Sequence, residues 1–336
     1  MGRDGEASAL AVSASPLDRA VRHYLWAGLD FLLAETGEAV LIEANKSSHM
    51  LGEYLRQYGD ERPFERIAAR MNAMPGPPAI LWRRADPLPD ADEDICFITR
   101  HLAPHLDREP LIAHVEDNQA TRPELCLPDG GLIVPGSLFR WWYGCPSSYE
   151  RSETLVINPN CLWLVARDKL ATTEAVASAR MFRAPRTVPV DSAEEAELCL
   201  EQHPELFSRG FVLKPRLGWG GYGVQIADVG EAPRRIGAGY LLTERIRPEP
   251  RGADTPRFWD ARLFVMDGLC VGGLIHSADS PNTNYWQGGR VEPLPDRHFE
   301  RLAPAAEEAV RLIDAAADRL HHLPIDDESA LLRVAY

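Results

Sequence analysis

Gly28-Leu-Asp30-Phe-Leu-Leu-Ala-Glu35-Thr-Gly37-Glu-Ala39-Val-Leu-Ile-Glu43-Ala-Asn45 sets two apolar runs on either side of a Thr-Gly turn. The pattern predicts a β-hairpin. Centred between Thr36 and Gly37, it places Asp30 opposite Glu43, with Asn45 two residues further on and so on the same face. Leu29, Phe31 and Leu33, with Val40, Ile42 and Ala44, then take the other face and can enter a core. Like charges directly opposite one another destabilise a ladder. A cation between them reverses that sign, and two carboxylates with an amide oxygen are hard ligands suited to Mg²⁺. The same residues also suit the solvated face of an ordinary hairpin.

The 336 residues around this hairpin suit two or three domains with substantial cores. No apolar run is long enough to span a membrane. Met1 to Pro16 has no basic start followed by a long apolar stretch, so it reads as a loose tail and not a signal peptide. Six cysteines are scattered without a C-x-x-C spacing, which sets a structural zinc site aside and points to reduced thiols in a cytoplasm. A net charge of -14 argues against a nucleic-acid or anionic-membrane partner. Of the 36 basic residues only Lys46, Lys169 and Lys214 are lysines. A lysine is a compact point charge that arginine's planar fork does not reproduce, so these positions are candidates for that smaller cation. Chance retention explains any one of them equally well.

In chain order, Leu17 to Trp26 has helical spacing. After the polar loop from Lys46, helices are predicted at Leu51–Tyr58, stopped by Gly59, and from Pro63 to about Met74, with Phe64, Ile67 and Met71 inward. Pro75-Gly76-Pro77-Pro78 marks a boundary. Strands at Ala79–Arg83 and Leu111–Val115, a helix at Glu93–Leu102, and apolar segments at Gly131–Val134 and Leu155–Ile157 suggest a small open α/β domain over residues 79–163. Its aromatic run Leu138-Phe-Arg-Trp-Trp-Tyr143 suits a core, an interface or a substrate wall alike. Helices follow at Leu170–Ala179 and after Ser192, where Glu195 completes a capping box.

Phe211-Val-Leu-Lys214-Pro then leads into a loop holding Gly218, Gly220, Gly221 and Gly223. Such glycines let backbone N–H groups turn inward around an anion, and the lysine adds full charge. The lysine precedes the glycines and no G-K-[ST] follows, so this is not a P-loop. Taken alone, a glycine loop is most often a turn. Beyond it come Tyr240–Ile246 with Glu244 and Glu249, a hairpin of Asp260–Val265 with Cys270–Ile275 around Asp267-Gly268, then His276 and a polar loop with Asn284. A long helix covers Ala303–Leu320.

Together these pieces resemble the ATP-grasp superfamily, especially D-alanine–D-alanine ligases and ribosomal-protein glutamate ligases. The likeness rests on Asp168-Lys169, Val212–Pro215, the glycine loop, Glu244 to Glu249, Asp260-x-Arg262, Asn284 with Gly288-Gly289, and Asp30 with Glu43-x-Asn45. In the family the Asp and Glu-x-Asn residues come last, whereas here they come first, so the resemblance implies an α/β (α+β) ATP-grasp fold with circularly permuted segments. It would divide into a tail (1–16), a permuted last segment with the metal hairpin (17–74), a small pre-ATP-grasp domain (79–163), a lid (164–243), a core (244–322) and a second tail (323–336).

The resemblance implies ATP and one or two Mg²⁺ ions. Lys169, Lys214 and the glycines would hold phosphates, Glu244 to Ile246 adenine, and Glu249 the ribose. Asn284 would sit with the phosphates, and Asp30, Glu43 and Asn45 would hold the metal. Arg262 would steady an anionic intermediate, Lys46 would approach the transferred phosphoryl group, and His276 replaces a more basic residue of the relatives. The implied activity joins a small carboxylic acid to an amine, amino-acid or peptide-like, through an acyl phosphate. A kinase acting on a hydroxyl, or a module that binds ATP without turnover, are the alternatives. A homodimer exchanging hairpins would preserve the same chemistry.

Overall fold

The computed structural model describes residues 20–45, 50–82, 95–114, 124–140, 153–218, 220–234, 236–251, 258–284 and 288–321. The opening strands are β1 (Trp26–Leu33) and β2 (Ala39–Asn45), followed by α1 (Leu51–Tyr58) and α2 (Arg62–Asn72). The second unit carries β3 (Pro78–Trp82), α3 (Ile95–Leu102), β4 (Leu111–His114), β5 (Leu125–Cys126), β6 (Leu132–Ile133), β7 (Ser137–Arg140) and β8 (Leu155–Val156). Then come α4 (Asn160–Ala166), α5 (Lys169–Ala175), β9 (Thr187–Val190), α6 (Ala193–Gln202), β10 (Phe211–Pro215), β11 (Gln225–Ala227) and β12 (Tyr240–Glu244). The last elements are β13 (Phe258–Met266), β14 (Leu269–Ala278), β15 (Arg290–Pro293) and α7 (Asp296–Leu320).

Three larger sheets organise this mixed α/β chain. The early hairpin does not stand alone: β1 pairs antiparallel with β13, giving a five-stranded sheet ordered β15-β14-β13-β1-β2. Its apolar face, with Leu29, Phe31, Leu263 and Ile275 fully buried, packs on α2 and α7, and α4 packs on α7, together forming the main core. A four-stranded antiparallel sheet, β11-β10-β12-β9, carries α6 on a core of its own that includes Phe211, Leu213 and Leu242. The segment between Pro78 and Val156 contributes a parallel sheet ordered β4-β3-β7-β8, with β5 and β6 as a separate ribbon.

Asp30 does lie opposite Glu43, yet the hairpin is not centred between Thr36 and Gly37. The turn closes on Ala34 and Glu38, with Gly37 at φ +85°, the three-residue form in which a glycine supplies the left-handed position. A bulge between Asp30 and Phe31 then shifts the register by one. In consequence Ala39 and Leu41 join Phe31 and Leu33 in the main core, Val40 is fully buried outside that cluster, and Ile42 lines the cleft described below.

The helix expected from Leu17 to Trp26 is absent from residues 20–25, and Trp26 already begins β1; residues 17–19 lie outside the described residues. Backbone N–H groups of Arg22, His23 and Tyr24 donate instead to the carboxylate of Asp314 on α7, at 2.6–3.1 Å. Those of Leu25 and Trp26 donate to Asn158 Oδ1, both at 3.1 Å. Buried acceptors from distant residues have replaced the local helical ones. α5 stops at Ala175 and not Ala179: Ala177 and Ala179 make tighter i→i−3 bonds, and Arg180 and Met181 give their N–H groups to buried Glu308.

Candidate active site

A cleft of about 210 Å³ lies between the five-stranded sheet and the β11-β10-β12-β9 sheet. That volume is several times what one water needs. One wall comes from β1, β2, β13 and β14 and presents Asp30, Glu43, Asp260, Arg262 and His276. The rest of the lining includes Lys169, Lys214, Gly218, Gly221, Glu244, Ile246 and Asn284.

On the first wall the charges are matched side by side. Arg262 is the register partner of Asp30 across β1 and β13 and donates to both its oxygens, Nε and Nη2 each at 2.7 Å. Burial pulls the Arg262 guanidinium down, and the adjoining Asp30 carboxylate more than reverses this, holding it above its ordinary range. Asp260 Oδ1 lies 2.9 Å from His276 Nδ1, and Thr283 donates to the other oxygen of Asp260. His276 Nε2 faces Met50 Sδ at 3.2 Å. Asp30, Asp260 and His276 bring potential ligand atoms within 4.8 Å of one another.

On the facing wall one cation, Lys214, has no ion-pair partner among the described residues. Lys169 Nζ donates to Gly218 O at 2.7 Å and stands 3.3 Å from Glu43 Oε1. Asp168 caps α5 through the N–H groups of Leu170 and Ala171, and clamps Arg216, Nη2 to Oδ2 at 2.6 Å, so the helix start and the glycine loop are fastened together. Lys214 donates to Ile42 O, the bulge carbonyl, at 3.3 Å and has no ion-pair partner among the described residues. Burial, with help from Lys169, pulls its amine down to about 8, against the opposing pull of Glu43. A cation so placed is satisfied by an incoming anion. In the adjoining loop Gly220, Gly221 and Gly223 have φ between +66° and +72°, which only glycine adopts freely.

The geometry sets several of the expected residues in other contacts or outside the cleft lining. The Asp30–Glu43 repulsion is relieved without a metal, because Arg262 and Lys169 each supply a countercharge. Asn45 does not line the cleft, and its Nδ2 donates to Asp30 Oδ2 at 3.3 Å. Glu249, the expected ribose ligand, does not line the cleft either, since Arg301 (3.1 Å) and His298 (3.4 Å) hold its carboxylate. Glu244 lines the cleft with its carboxylate taken by Arg183 and by the Arg186 N–H at 2.7 Å. Gly220 and Gly223 shape the loop without lining the cleft. Lys46 lies outside the described residues.

Sequence reasoning missed the Asp260–His276 contact. Counting back from the Asp267-Gly268 turn pairs Asp260 with Ile275, but a bulge after Phe264 moves the partner to His276. It also missed Arg216 and Thr283, which carry no local pattern.

No family model matches this chain, and no curated protein matches it. Its structure is similar to a solved one, a protein provisionally called gamma-glutamylcysteine synthetase from Methylobacillus flagellatus KT, with a TM-score of 0.54 and 13% identity over 90% of each chain. At that identity the likeness concerns the fold.

Proposed function

We propose that this chain is a circularly permuted ATP-grasp ligase that joins a carboxylic acid to an amine at the expense of ATP, releasing ADP and phosphate. The observation that carries the reading is Lys214. It is a recessed amine with lowered proton affinity, placed beside Lys169 and a glycine loop, and facing a wall of carboxylates. That is the charge arrangement a polyphosphate completes. The protein of like fold carries a synthetase's name, which agrees with this. The antiparallel seat of β1 beside β13 supports the permuted order, because it delivers Asp30 and Glu43 to the cleft from the opposite end of the sequence.

The residues fit the two groups the reading requires. Lys169 and Lys214 would neutralise the phosphates, and loop N–H groups would point inward at them. Asp30 and Glu43 are hard oxygen donors suited to Mg²⁺; Lys169 would leave Glu43 for a phosphate as the carboxylate takes the metal. A bound Mg²⁺ would neutralise charge between neighbouring phosphates. Phosphoryl transfer is chiefly positioning and charge neutralisation, which these groups supply without a protein nucleophile. The terminal phosphoryl group moves to the substrate carboxylate. The amine then attacks the acyl carbon, its proton is lost and inorganic phosphate leaves. Arg262 gives two N–H groups to Asp30 and keeps others for the anionic intermediate. His276, oriented by Asp260, faces the same space.

An ADP-release screen over pairs of carboxylic acids and amines tests this. Release that requires both partners supports the ligase, a stable phosphorylated product points to a kinase, and tight ATP binding without ADP to a binding module. Lys214→Ala is expected to lose at least about 2.7 kcal/mol of transition-state stabilisation. Full turnover by that folded variant would remove Lys214 from the site.

A further inference from the structure

The scattered cysteines set zinc aside on spacing alone, but folding gathers ligands from three distant segments. His23, Cys161 and His321 offer metal-binding atoms all within 4.8 Å of one another. Cys161 Sγ lies 3.9 Å from His321 Nδ1, and the His23 and His321 ring centroids are 5.0 Å apart. Asp318, one turn before His321 on α7, lies 3.1 Å from His23 Nε2. None of the four lines the cleft.

We propose that His23, Cys161 and His321 form a structural binding site for Zn²⁺, with Asp318 as its supporting carboxylate. One thiol and two imidazoles are the donors that favour this borderline-soft cation over Mg²⁺ or Ca²⁺. In a tetrahedral zinc site neighbouring ligand atoms stand about 3.5 Å apart, given bonds of about 2.0 to 2.3 Å. The present spacing therefore needs side-chain closure of about an ångström and no new backbone path. Asp318 serves either as the carboxylate that orients the His23 ring or as the fourth ligand; both complete the same site.

The backbones are already held. Asp314 accepts the His23 N–H at 2.6 Å, and Asn158 ties Leu25 and Trp26 to the segment leading into α4, where Cys161 lies. His321 caps α7 with its N–H on Ala317 O at 3.0 Å. Little ordering is left for binding to impose. His23 and Cys161 are buried, so water competes weakly. Binding expels the Cys161 thiol proton to solvent, and affinity therefore rises with pH. The ion would join the start of β1, α4 and the end of α7.

The test uses the full chain, stripped with a chelator, reloaded with Zn²⁺ and desalted. It is expected to retain a single equivalent and to melt at a higher temperature than the stripped form. Co²⁺ in place of Zn²⁺ should give a near-ultraviolet thiolate-to-metal charge-transfer band. Cys161→Ser should abolish the band, whereas His276→Gln, in the cleft, should keep it. His321→Ala should weaken binding by roughly ten-fold or more. Absence of the band in the unmodified chain would overturn the site, as would a band that survives Cys161→Ser. The unmodified chain decides the question even where Cys161→Ser fails to fold. Neither result depends on ATP turnover.

Discussion

At the scale of residues, Lys214 gives a pH signature. Its amine releases a proton near pH 8 in the folded chain, whereas an unfolded lysine does so near about 10.4. Between those values the unfolded chain holds more protons, so stability rises with pH across the window, and below about 8 the cost of burying the charge is fully felt. Relative to Lys214→Met, the unmodified protein should gain roughly 2 kcal/mol between about pH 7 and about pH 9.5, read by denaturant unfolding. Solvent reaching the amine lowers that figure. A gap that does not move with pH would count against the burial. The Arg262–Asp30 pair behaves differently, because each partner leaves the other buried and uncompensated. Arg262→Met should cost about 3–5 kcal/mol, and adding Asp30→Asn should recover part of that loss. Strictly additive costs would show that the pair does not couple. Lys169 and Lys214 stood out in sequence because lysines are scarce in this chain. The Arg262–Asp30 pair did not, because 232 residues separate its members.

At the scale of elements, the joints between segments were the hard part to read. Hairpins, helix caps and the glycine loop announce themselves through local chemistry, and Ser192 with Glu195 forms the expected cap at 3.1 Å. The bulges after Asp30 and Phe264 carry no such signature, yet they decide which side chains share a face. The segment before β1 has helical spacing but gives its N–H groups to Asp314. Asp314→Ala would strand those donors and should cost about 3 kcal/mol. It should also speed hydrogen exchange at Arg22, His23 and Tyr24 while leaving β10 and β12 unchanged. Protection retained at those three amides would show that another acceptor holds them. The contacts of Glu249 were hidden for a similar reason: its partners Arg301 and His298 sit on α7, beyond any local window.

At the scale of the whole molecule, the early hairpin completes a sheet built mostly from late strands, and the first described residues lie against the end of α7. A flexible link from residue 321 to residue 20, with the chain reopened within Pro75–Pro78, should therefore fold with the same sheets and a melting midpoint within a few degrees. Such links are tolerated where the joined points are close. An insoluble product, or one that melts far lower, would mean that the boundary carries more of the fold than a connector does. The parallel unit was legible as alternating strands and a helix; which strand neighbours which was not, since β3 pairs with both β4 and β7. The seating of β1 on β13 also bears on how the protein is made. At ribosomal rates of 5–20 residues per second, the hairpin emerges on the order of tens of seconds before the strand that will cover it. Through that interval β1 has an open edge and an apolar face of Leu29, Phe31 and Leu33, all fully buried at the end. On the nascent chain that edge and face await β13, for a time that translation speed downstream of the hairpin sets.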